Sequence, residues 1–299
     1  MQDPNPTTST NVPLFSVIIP TCDRNEMLAL CLERLDPTVQ QYDPNRYEVI
    51  VTDNGTKRPA EGLIQERFPW VTWVRGPGGG AAANRNRGAI EARGEWLVFT
   101  DDDCQPDTGL LRAYDAAVRT IQADAMEGAV HPIGDPDLDM AECPINLHGG
   151  LFWSANVAVR AAMFHRLGGF NPRYPPAGHE DEDLYLRLRE HTPVPFIADA
   201  RINHPIRIFN VGSAVSRIPL RAQSTGLYYS LNARRLGIRR FTTLVRWIYK
   251  PRLMALLKDL VRGRPRSAFI ELLWVLYGNV LVLRCWFRET RQLSREAVA

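Results

Sequence analysis

Three consecutive aspartates, Asp101–Asp103, directly follow a short apolar run at residues 96–99. The run is typical of a buried strand, and open α/β sheets bind their ligands at the carboxyl ends of strands. Adjacent carboxylates repel one another unless solvent or a cation compensates them, and a hard divalent cation with phosphate as co-ligand suits them. The alternative is an acidic turn that caps a helix starting near Thr108. The aspartates alone leave both interpretations open.

The elements that position these aspartates are predicted by apolar runs and helical patterns that alternate along the first part of the chain. This alternation favours a mostly parallel sheet with right-handed crossovers. Predicted strands cover residues 15–20, 47–52, 71–74 and 96–100, and predicted helices cover residues 27–35, 62–68, 81–92 and 110–122.

The second half of the chain has a less regular pattern. Residues 131–147 are rich in Pro and Asp and predict a loop. Further predicted elements are a strand within 149–159, helices at 161–167 and 181–190, and a strand at 196–200 with His204 just beyond it.

The charge of the chain is divided unevenly. The net charge is only +3, yet residues 200–299 contain 19 Lys and Arg against 4 Asp and Glu, while residues 1–199 contain 17 basic and 29 acidic residues. A basic region of this kind indicates an anionic partner such as a membrane surface, a lipid phosphate or nucleic acid. No nucleic-acid recognition motif accompanies the arginines, which makes nucleic acid the weakest of the three. The alternative is a basic surface that faces the acidic part of the same chain.

From residue 241 the chain shows a basic amphipathic helical pattern, which we predict to break at Pro251. It is followed by residues 272–283, which carry no charge. Twelve helical residues span roughly 18 Å, less than the ~30 Å hydrocarbon core of a bilayer. We therefore expect this segment to lie in a membrane interface, or to pack against the first part of the chain or another subunit.

Composition and the N-terminal segment suggest a cytoplasmic protein. The hydrophobic share of 45% and the charged share of 23% are those of a globular protein. Residues 1–13 are polar, are expected to be disordered, and lack the apolar stretch of a secretory signal. The five cysteines show no C-x-x-C spacing, so neither zinc binding nor a disulfide framework is indicated. We expect a cytoplasmic location, or attachment to the cytoplasmic face of a membrane.

Polar residues follow each predicted strand or crossover. They occupy residues 20–24, 53–55, 84–88 and 101–103, which a doubly wound sheet brings to one edge as a crevice of nucleotide size. An aspartate there can accept a hydrogen bond from a base or ribose, arginines can neutralise a diphosphate, and carboxylates can hold a bridging metal.

Seven stretches in this order resemble family 2 of the GT-A glycosyltransferases: residues 16–21, 51–55, 85–96, 99–103, 156–160, 168–170 and 178–184. The resemblance covers roughly residues 14–205. It implies an α/β GT-A fold with a Rossmann-like, mixed, mostly parallel sheet and flanking helices. The catalytic domain would span 14–210, with a nucleotide-sugar half at 14–104 and an acceptor half at 105–210. Residues 211–299 would form a basic helical extension that contacts a membrane or a second subunit.

The resemblance also implies roles for individual residues. Glu180-Asp181 matches the family's E-D pair, which makes Asp181 the catalytic base. The asparagine frequent in the first motif is Asp23 here, which departs from the family pattern. Guided by the resemblance, we assign nucleotide-sugar binding to Thr21, Asp23, Asp53, Arg85, Asp101 and Asp102, metal binding to Asp103, Asp101 and His204, and acceptor binding to Glu180 and Trp153.

The function implied is metal-dependent, inverting transfer of a sugar from a nucleotide-diphosphate donor, expected to be a UDP-sugar, to an acceptor hydroxyl. The cofactor would be Mn²⁺ or Mg²⁺, and the acceptor a lipid-linked or membrane-made glycan. A haloacid-type phosphatase is disfavoured because Gln105 stands where its motif needs Thr or Val. A sugar-nucleotide nucleotidyltransferase would have a Gly-rich loop after the first strand, and this chain has Pro20–Asp23 there. A non-enzymatic nucleotide-sugar-binding or membrane scaffold remains an alternative.

Overall fold

The computed structural model of the protein describes residues 12–175 and 178–296. The disorder expected for residues 1–13 falls almost entirely outside the described residues. The strands are β1 (Phe15–Thr21), β2 (Tyr47–Asp53), β3 (Thr72–Arg75), β4 (Trp96–Phe99), β5 (Gln105–Pro106), β6 (Ala125–Ile133), β7 (Ala141–Glu142), β8 (Val157–Arg160), β9 (Phe196–Pro205) and β10 (Arg207–Ile208). The helices are α1 (Asn25–Leu35), α2 (Pro37–Gln40), α3 (Glu61–Arg67), α4 (Ala81–Glu91), α5 (Leu110–Thr120), α6 (Ala161–Arg166), α7 (Glu180–Leu188), α8 (Val211–Leu231), α9 (Phe241–Val261), α10 (Pro265–Leu273) and α11 (Asn279–Glu296).

Eight strands form one sheet in the order β3-β2-β1-β4-β8-β6-β9-β5. β5 and β8 run antiparallel to their neighbours, and the other six strands are parallel to one another. Helices cover both faces, and every residue of β1 is buried. The mixed, mostly parallel sheet with flanking helices is therefore confirmed.

The register of the parallel strands brings the predicted motifs together. Thr21 pairs with Asp53 across β1 and β2, and Ile18 pairs with Phe99 across β1 and β4. The carboxyl ends of these strands consequently meet at one edge. Asp101–Asp103 follow β4 at that edge, beside the segment that follows β1.

Two predictions for the second half were incomplete. Residues 131–147 were predicted to form a loop, but β6 extends into them as far as Ile133. The same stretch also contains the short β7, which pairs with β10. β9 extends to Pro205, so that His204 lies inside the strand. The cause is alternation: Ala200, Ile202 and His204 are buried, whereas the intervening residues are more exposed, which is the pattern of a strand with one covered face.

The basic C-terminal region is helical, as predicted, but the predicted break in it is wrong. α9 continues through Pro251 as one helix of 21 residues. Leu244 and Ile248 of α9 pack with Trp274 and with Ile218 of α8 in a buried cluster that supports the helix before its proline. Tertiary packing here outweighs the single backbone hydrogen bond that proline removes.

The uncharged segment 272–283 belongs to a longer helix, so its own twelve-residue length does not limit the distance that the helix can span. α10 passes into α11 through one π-helical turn at Trp274–Gly278. Residues Pro265–Arg295 thus form a 31-residue helix with a mean hydropathy of 1.6 over its most apolar window, a third of which is buried. By length and composition it could cross a membrane, although core helices of soluble proteins pass the same test.

Candidate active site

The second aspartate of the triplet joins two strand ends. Thr21 Oγ1 donates a hydrogen bond of 2.7 Å to Asp102 Oδ2, and Arg24 Nη2 lies 2.6 Å from Asp102 Oδ1. Burial raises the pKa of Asp102 to about 7, although Arg24 and the Thr21 hydroxyl act in the opposite direction. Because Asp102 is fully buried between β1 and β4, its contacts are those of a structural tie. Its assignment to nucleotide-sugar binding stays a prediction.

Arg85 of α4 connects the two halves of the site. Its Nη2 lies 2.6 Å from Asp101 Oδ1, and its Nη1 lies 3.1 Å from Glu180 Oε1 at the start of α7. Burial acts to lower the pKa of Arg85, but the two carboxylates outweigh it and raise the pKa. Burial likewise acts to raise the pKa of Asp101, and Arg85 reverses this to a lowered value. The charged Arg85 therefore aligns the acidic motif after β4 with the acidic motif that opens α7.

Asp103 faces His204 across the sheet edge. Nδ1 of His204 lies 2.8 Å from the carbonyl oxygen of Pro205, which can only accept, so a proton on Nδ1 would complete this hydrogen bond. In that tautomer Nε2, which lies 3.4 Å from Asp103 Oδ1, would offer its lone pair to a metal ion. Oδ2 of Asp103 is paired with Arg207 of β10 and lies 3.4 Å from Nη1 of Arg24.

This pair fits a divalent cation. Asp103 Oδ1 is buried and accepts no hydrogen bond from the described residues. Two ligands at ~2.1 Å from one ion and about 90° apart are separated by roughly 3 Å, close to the observed 3.4 Å. Cys104 lies in the same cluster, with one ligand atom from each of the three residues within 4.8 Å of the others. Mn²⁺ and Mg²⁺ favour oxygen and nitrogen over thiol sulfur, so Asp103 and His204 are the members of this cluster that could hold such an ion. Asp101 is not part of the cluster, and its assignment to the metal stays a prediction.

Asp181 is held in one orientation by three donors. The Ser154 backbone N–H and hydroxyl lie 3.1 and 3.3 Å from Oδ2, and the Glu182 N–H lies 2.9 Å from Oδ1. Burial, together with the charge of Glu180, raises the pKa of Asp181 to about 7. A carboxylate with that pKa is suited to take up a proton near neutral pH.

Hydrogen bonds to one buried acid, Glu127 of β6, hold the loop that carries Trp153 and Ser154. Its carboxylate accepts hydrogen bonds from the backbone N–H groups of residues 150–152 and from the Asn146 amide, at 2.5–3.1 Å. The loop needs this support because Phe152 has φ of 50°, a left-handed conformation that is costly for a bulky residue. Glu127 therefore positions the loop whose Ser154 orients Asp181.

Replacing Glu127 by glutamine is expected to lower the free energy of unfolding by about 1–3 kcal/mol, because an amide nitrogen cannot accept from a backbone N–H and leaves buried donors unpaired. Urea unfolding measures this. Glu66→Gln, on the exposed face of α3, is the matched control and should change little. Equal stability of the two variants would contradict the role assigned to Glu127.

Two predicted nucleotide contacts have structural partners of their own. Asp53 is fully buried and accepts from the N–H groups of Gly55 and Ala60 at 2.6 and 2.7 Å. Asp23 Oδ1 accepts from the N–H groups of Lys57 and Arg58 at 2.9 and 2.8 Å. Both carboxylates shape the loop after β2, and their contacts with a nucleotide stay predictions.

A cavity of about 460 Å³ lies between the sheet edge and the C-terminal helices. Of the predicted site residues, Asp101, Trp153 and His204 line it, and Gly178, His179 and Glu182 beside Asp181 form part of its wall. α8 closes this side: His179 stacks on Tyr228 with ring centroids 4.8 Å apart. The helix of the basic region thus helps to position the turn that precedes Asp181.

Several residues of the site were not predicted. Arg24 and Arg207 compensate the aspartates, Ser154 holds Asp181, and Glu127 holds the loop. Arg24 and Arg207 lie near the motifs at Asp23 and His204, which is a weak signal. Glu127 and Ser154 carry no local signal in the sequence.

Comparison with known proteins assigns a family to residues 16–140. Residues 16–140 match the sequence model described as Glycosyl transferase family 2. The chain carries a family 2 glycosyltransferase domain. Validoxylamine A glucosyltransferase of Streptomyces hygroscopicus subsp. limoneus is 26% identical over 239 residues, covering 63% of this chain and 50% of that protein. The match therefore spans half the length of that relative.

A second relative and a solved structure agree with this assignment. The GalNAc(5)-diNAcBac-PP-undecaprenol beta-1,3-glucosyltransferase of Campylobacter jejuni is 29% identical over 133 residues, covering 42% of this chain and 38% of that protein. The mannosyltransferase PcManGT of Pyrobaculum calidifontis, solved with GDP-Man and Mn²⁺, superposes with a TM-score of 0.59 at 18% identity, over 93% of this chain and 87% of that one. This likeness confirms the GT-A fold of the family 2 domain.

Proposed function

We propose that this protein is a metal-dependent, inverting glycosyltransferase that moves a sugar from a nucleoside diphosphate to an acceptor hydroxyl. The observation that carries the proposal is the Arg85 bridge, which joins Asp101 after β4 to Glu180 beside Asp181. It holds the proposed donor and acceptor groups in a fixed relation at the edge of one cavity.

The acceptor is activated by Asp181. Its carboxylate, oriented by Ser154 and by the Glu182 N–H, takes the proton from the attacking hydroxyl. Glu180 and Trp153 contact the acceptor, and Trp153 lines the cavity. Attack opposite the leaving diphosphate inverts the anomeric centre.

The donor diphosphate lies near Asp101 and Asp103. Asp103 and His204 would hold the Mn²⁺ or Mg²⁺ ion, with Asp101 beside them, and the ion would neutralise charge on the leaving diphosphate. The PcManGT structure carries Mn²⁺ with GDP-Man. We propose UDP as the nucleotide of this enzyme, with GDP as the alternative.

The test is a thermal-shift screen against UDP- and GDP-sugars with Mn²⁺ or Mg²⁺, followed by a donor-hydrolysis assay with the sugar that stabilises most. Metal-dependent release of nucleoside diphosphate supports a transferase. Binding without turnover would support the scaffold alternative. Release of inorganic pyrophosphate from a nucleoside triphosphate and a sugar phosphate would indicate a nucleotidyltransferase.

We further propose that the enzyme binds the cytoplasmic face of an anionic membrane through residues 211–299 and acts on a lipid-linked glycan. The Campylobacter relative is named for an undecaprenol-diphosphate substrate. α9 exposes Trp247, Leu253 and Leu257, and cations flank these side chains. α11 packs against α8 through Val282 and Cys285, which favours a helix that lies against protein on one side and membrane on the other.

A basic groove on α11 supplies a test of this membrane proposal. Arg291→Gln with Arg295→Gln removes two of the arginines that line it. Each is worth about 1 kcal/mol near an anionic surface, so partitioning onto phosphatidylglycerol-containing vesicles should fall by roughly 30-fold. Arg67→Gln with Arg93→Gln, on the catalytic half, is the control of equal charge. Flotation that is equal for neutral and anionic vesicles would contradict the proposal.

A further inference from the structure

The cavity has two walls of different composition. One wall belongs to the catalytic half and includes Asp101, Glu182 and His204. The other belongs to the C-terminal helices and presents Arg217 and Arg221 from α8 and Arg252 from α9. The helices of the basic region therefore turn arginines toward the candidate active site as well as toward solvent.

Arg217 and Arg221 lie four residues apart on α8, so both side chains lie on one face of the helix. The guanidinium of Arg217 lies 4.0 Å from the ring centroid of Phe209 and forms no ion pair with a described carboxylate. A guanidinium that rests on an aromatic face keeps its N–H donors available at the edge of its plane. Arg217 is thus presented to the cavity with its hydrogen-bonding capacity unused by protein acids.

The other two arginines have one carboxylate each. Arg221 pairs with Glu142, and their side chains are 38% and 46% exposed, so this contact is of the weak, solvent-screened kind. Arg252 lies over the Trp274 ring at 4.0 Å and 3.1 Å from Glu271, which holds it in place. Three guanidiniums therefore meet two carboxylates at this wall, and positive charge is in excess.

The donor diphosphate does not account for this excess. The metal ion proposed at Asp103 and His204 would neutralise the donor diphosphate at the opposite wall of the cavity, which carries His204. The arginines of α8 and α9 instead adjoin Gly178, His179 and Glu182, next to the proposed base. Their position corresponds to the side from which an acceptor would approach.

We propose that Arg217, Arg221 and Arg252 form a subsite for a phosphate group carried by the acceptor. The planar fork of N–H donors on a guanidinium matches the oxygens of a phosphate ester or diphosphate, and several guanidiniums together bind it more tightly than one. This inference rests on the proposed function, because it assigns the acceptor side of the same cavity. It restricts the acceptor to a phosphorylated one, such as a glycan joined to a lipid through phosphate.

The test is calorimetric titration of the full chain with phenyl phosphate, in the presence of saturating Mn²⁺ and the nucleoside diphosphate that gives the largest thermal shift. Binding should persist with the nucleotide bound. Arg217→Gln with Arg221→Gln should weaken it by about tenfold or more, the loss expected for charge-assisted hydrogen bonds. Arg239→Gln with Arg240→Gln removes the same charge from exposed positions and should keep wild-type affinity.

Three outcomes would overturn the subsite. Competition between phenyl phosphate and the nucleotide would assign the arginines to the donor. Equal affinity in the two double variants would show that net charge alone attracts phosphate. If Arg217→Gln with Arg221→Gln lost binding to phosphatidylglycerol vesicles but kept phenyl phosphate binding, these arginines would be assigned to membrane headgroups. Nucleotide-sugar binding and hydrolysis by the wild-type protein are measured separately, so a failure of the proposed function is distinguishable from a failure of the subsite.

Discussion

Replacing Asp181 by asparagine is expected to lower the rate of sugar transfer by about 10²–10⁴-fold, the usual contribution of a general base. Asparagine has nearly the same shape and keeps an oxygen to accept from Ser154, so the fold should be retained. The rate is measured as nucleoside diphosphate released under saturating donor, and the melting temperature confirms folding. The loss should appear mainly in kcat, because the proton is transferred only as the hydroxyl attacks.

The same residue predicts the pH dependence of the wild-type enzyme. Burial and Glu180 raise the pKa of Asp181 to about 7, so its carboxyl is protonated and unable to accept a proton below that pH. The transfer rate should therefore fall about tenfold for each pH unit below about 7 and level off above it. In Asp181→Asn this limb of the profile should be absent.

Asp199→Asn is the matched control, since the Asp199 side chain is 85% exposed on β9 and, among the described residues, pairs only with nearby Arg201. It should keep the wild-type rate and pH profile. A rate of Asp181→Asn within threefold or so of the control would remove Asp181 from the role of base.

The second large effect is expected at Asp103. Asp103→Asn should weaken Mn²⁺ binding by at least about 100-fold and lower the transfer rate in parallel, because it removes a charged ligand where even outer-shell changes cost 10–100-fold. Calorimetric titration with Mn²⁺ measures affinity, and the rate is followed over a Mn²⁺ series. Excess Mn²⁺ should restore part of the activity if the loss is one of metal affinity.

Cys104→Ala tests whether the Cys104 sulfur belongs to the proposed metal site together with Asp103 and His204. Cys104 belongs to the same three-residue cluster as Asp103 and His204, but its sulfur is a soft ligand. Its replacement should therefore leave Mn²⁺ affinity unchanged. Unchanged affinity in Asp103→Asn, or lost affinity in Cys104→Ala, would contradict the assigned site.

The sequence by itself determined the edge of the sheet at which the predicted motifs meet. The apolar runs before Thr21, Asp53 and Asp101 predict buried strands, and the parallel register brings the polar residues at their ends to one edge of the sheet. This succeeds because strand formation and turn chemistry depend on neighbours within a few residues. The resemblance of residues 16–140 to family 2 glycosyltransferases could also be predicted from the sequence, because the motifs of that family recur in a set order.

The tertiary structure alone decided which groups act together. Arg24 meets Asp103 across 79 positions and Arg207 meets it across 104, while Glu127 reaches a loop more than 20 residues on. Such pairings depend on the strand order, in which antiparallel β8 lies between β4 and β6. Local patterns do not encode that order, because many orders would bury the same apolar faces.

The same reason explains the C-terminal region. Its composition predicted a basic, helical segment that binds an anion, but not that α8 would close the cavity beside Asp181 through Tyr228 and His179. Amphipathic spacing tells which face of a helix is buried, and leaves open what buries it. Only the packing of α8 against the turn before α7 places Arg217 and Arg221 at the cavity, and so turns a basic surface into a candidate binding site.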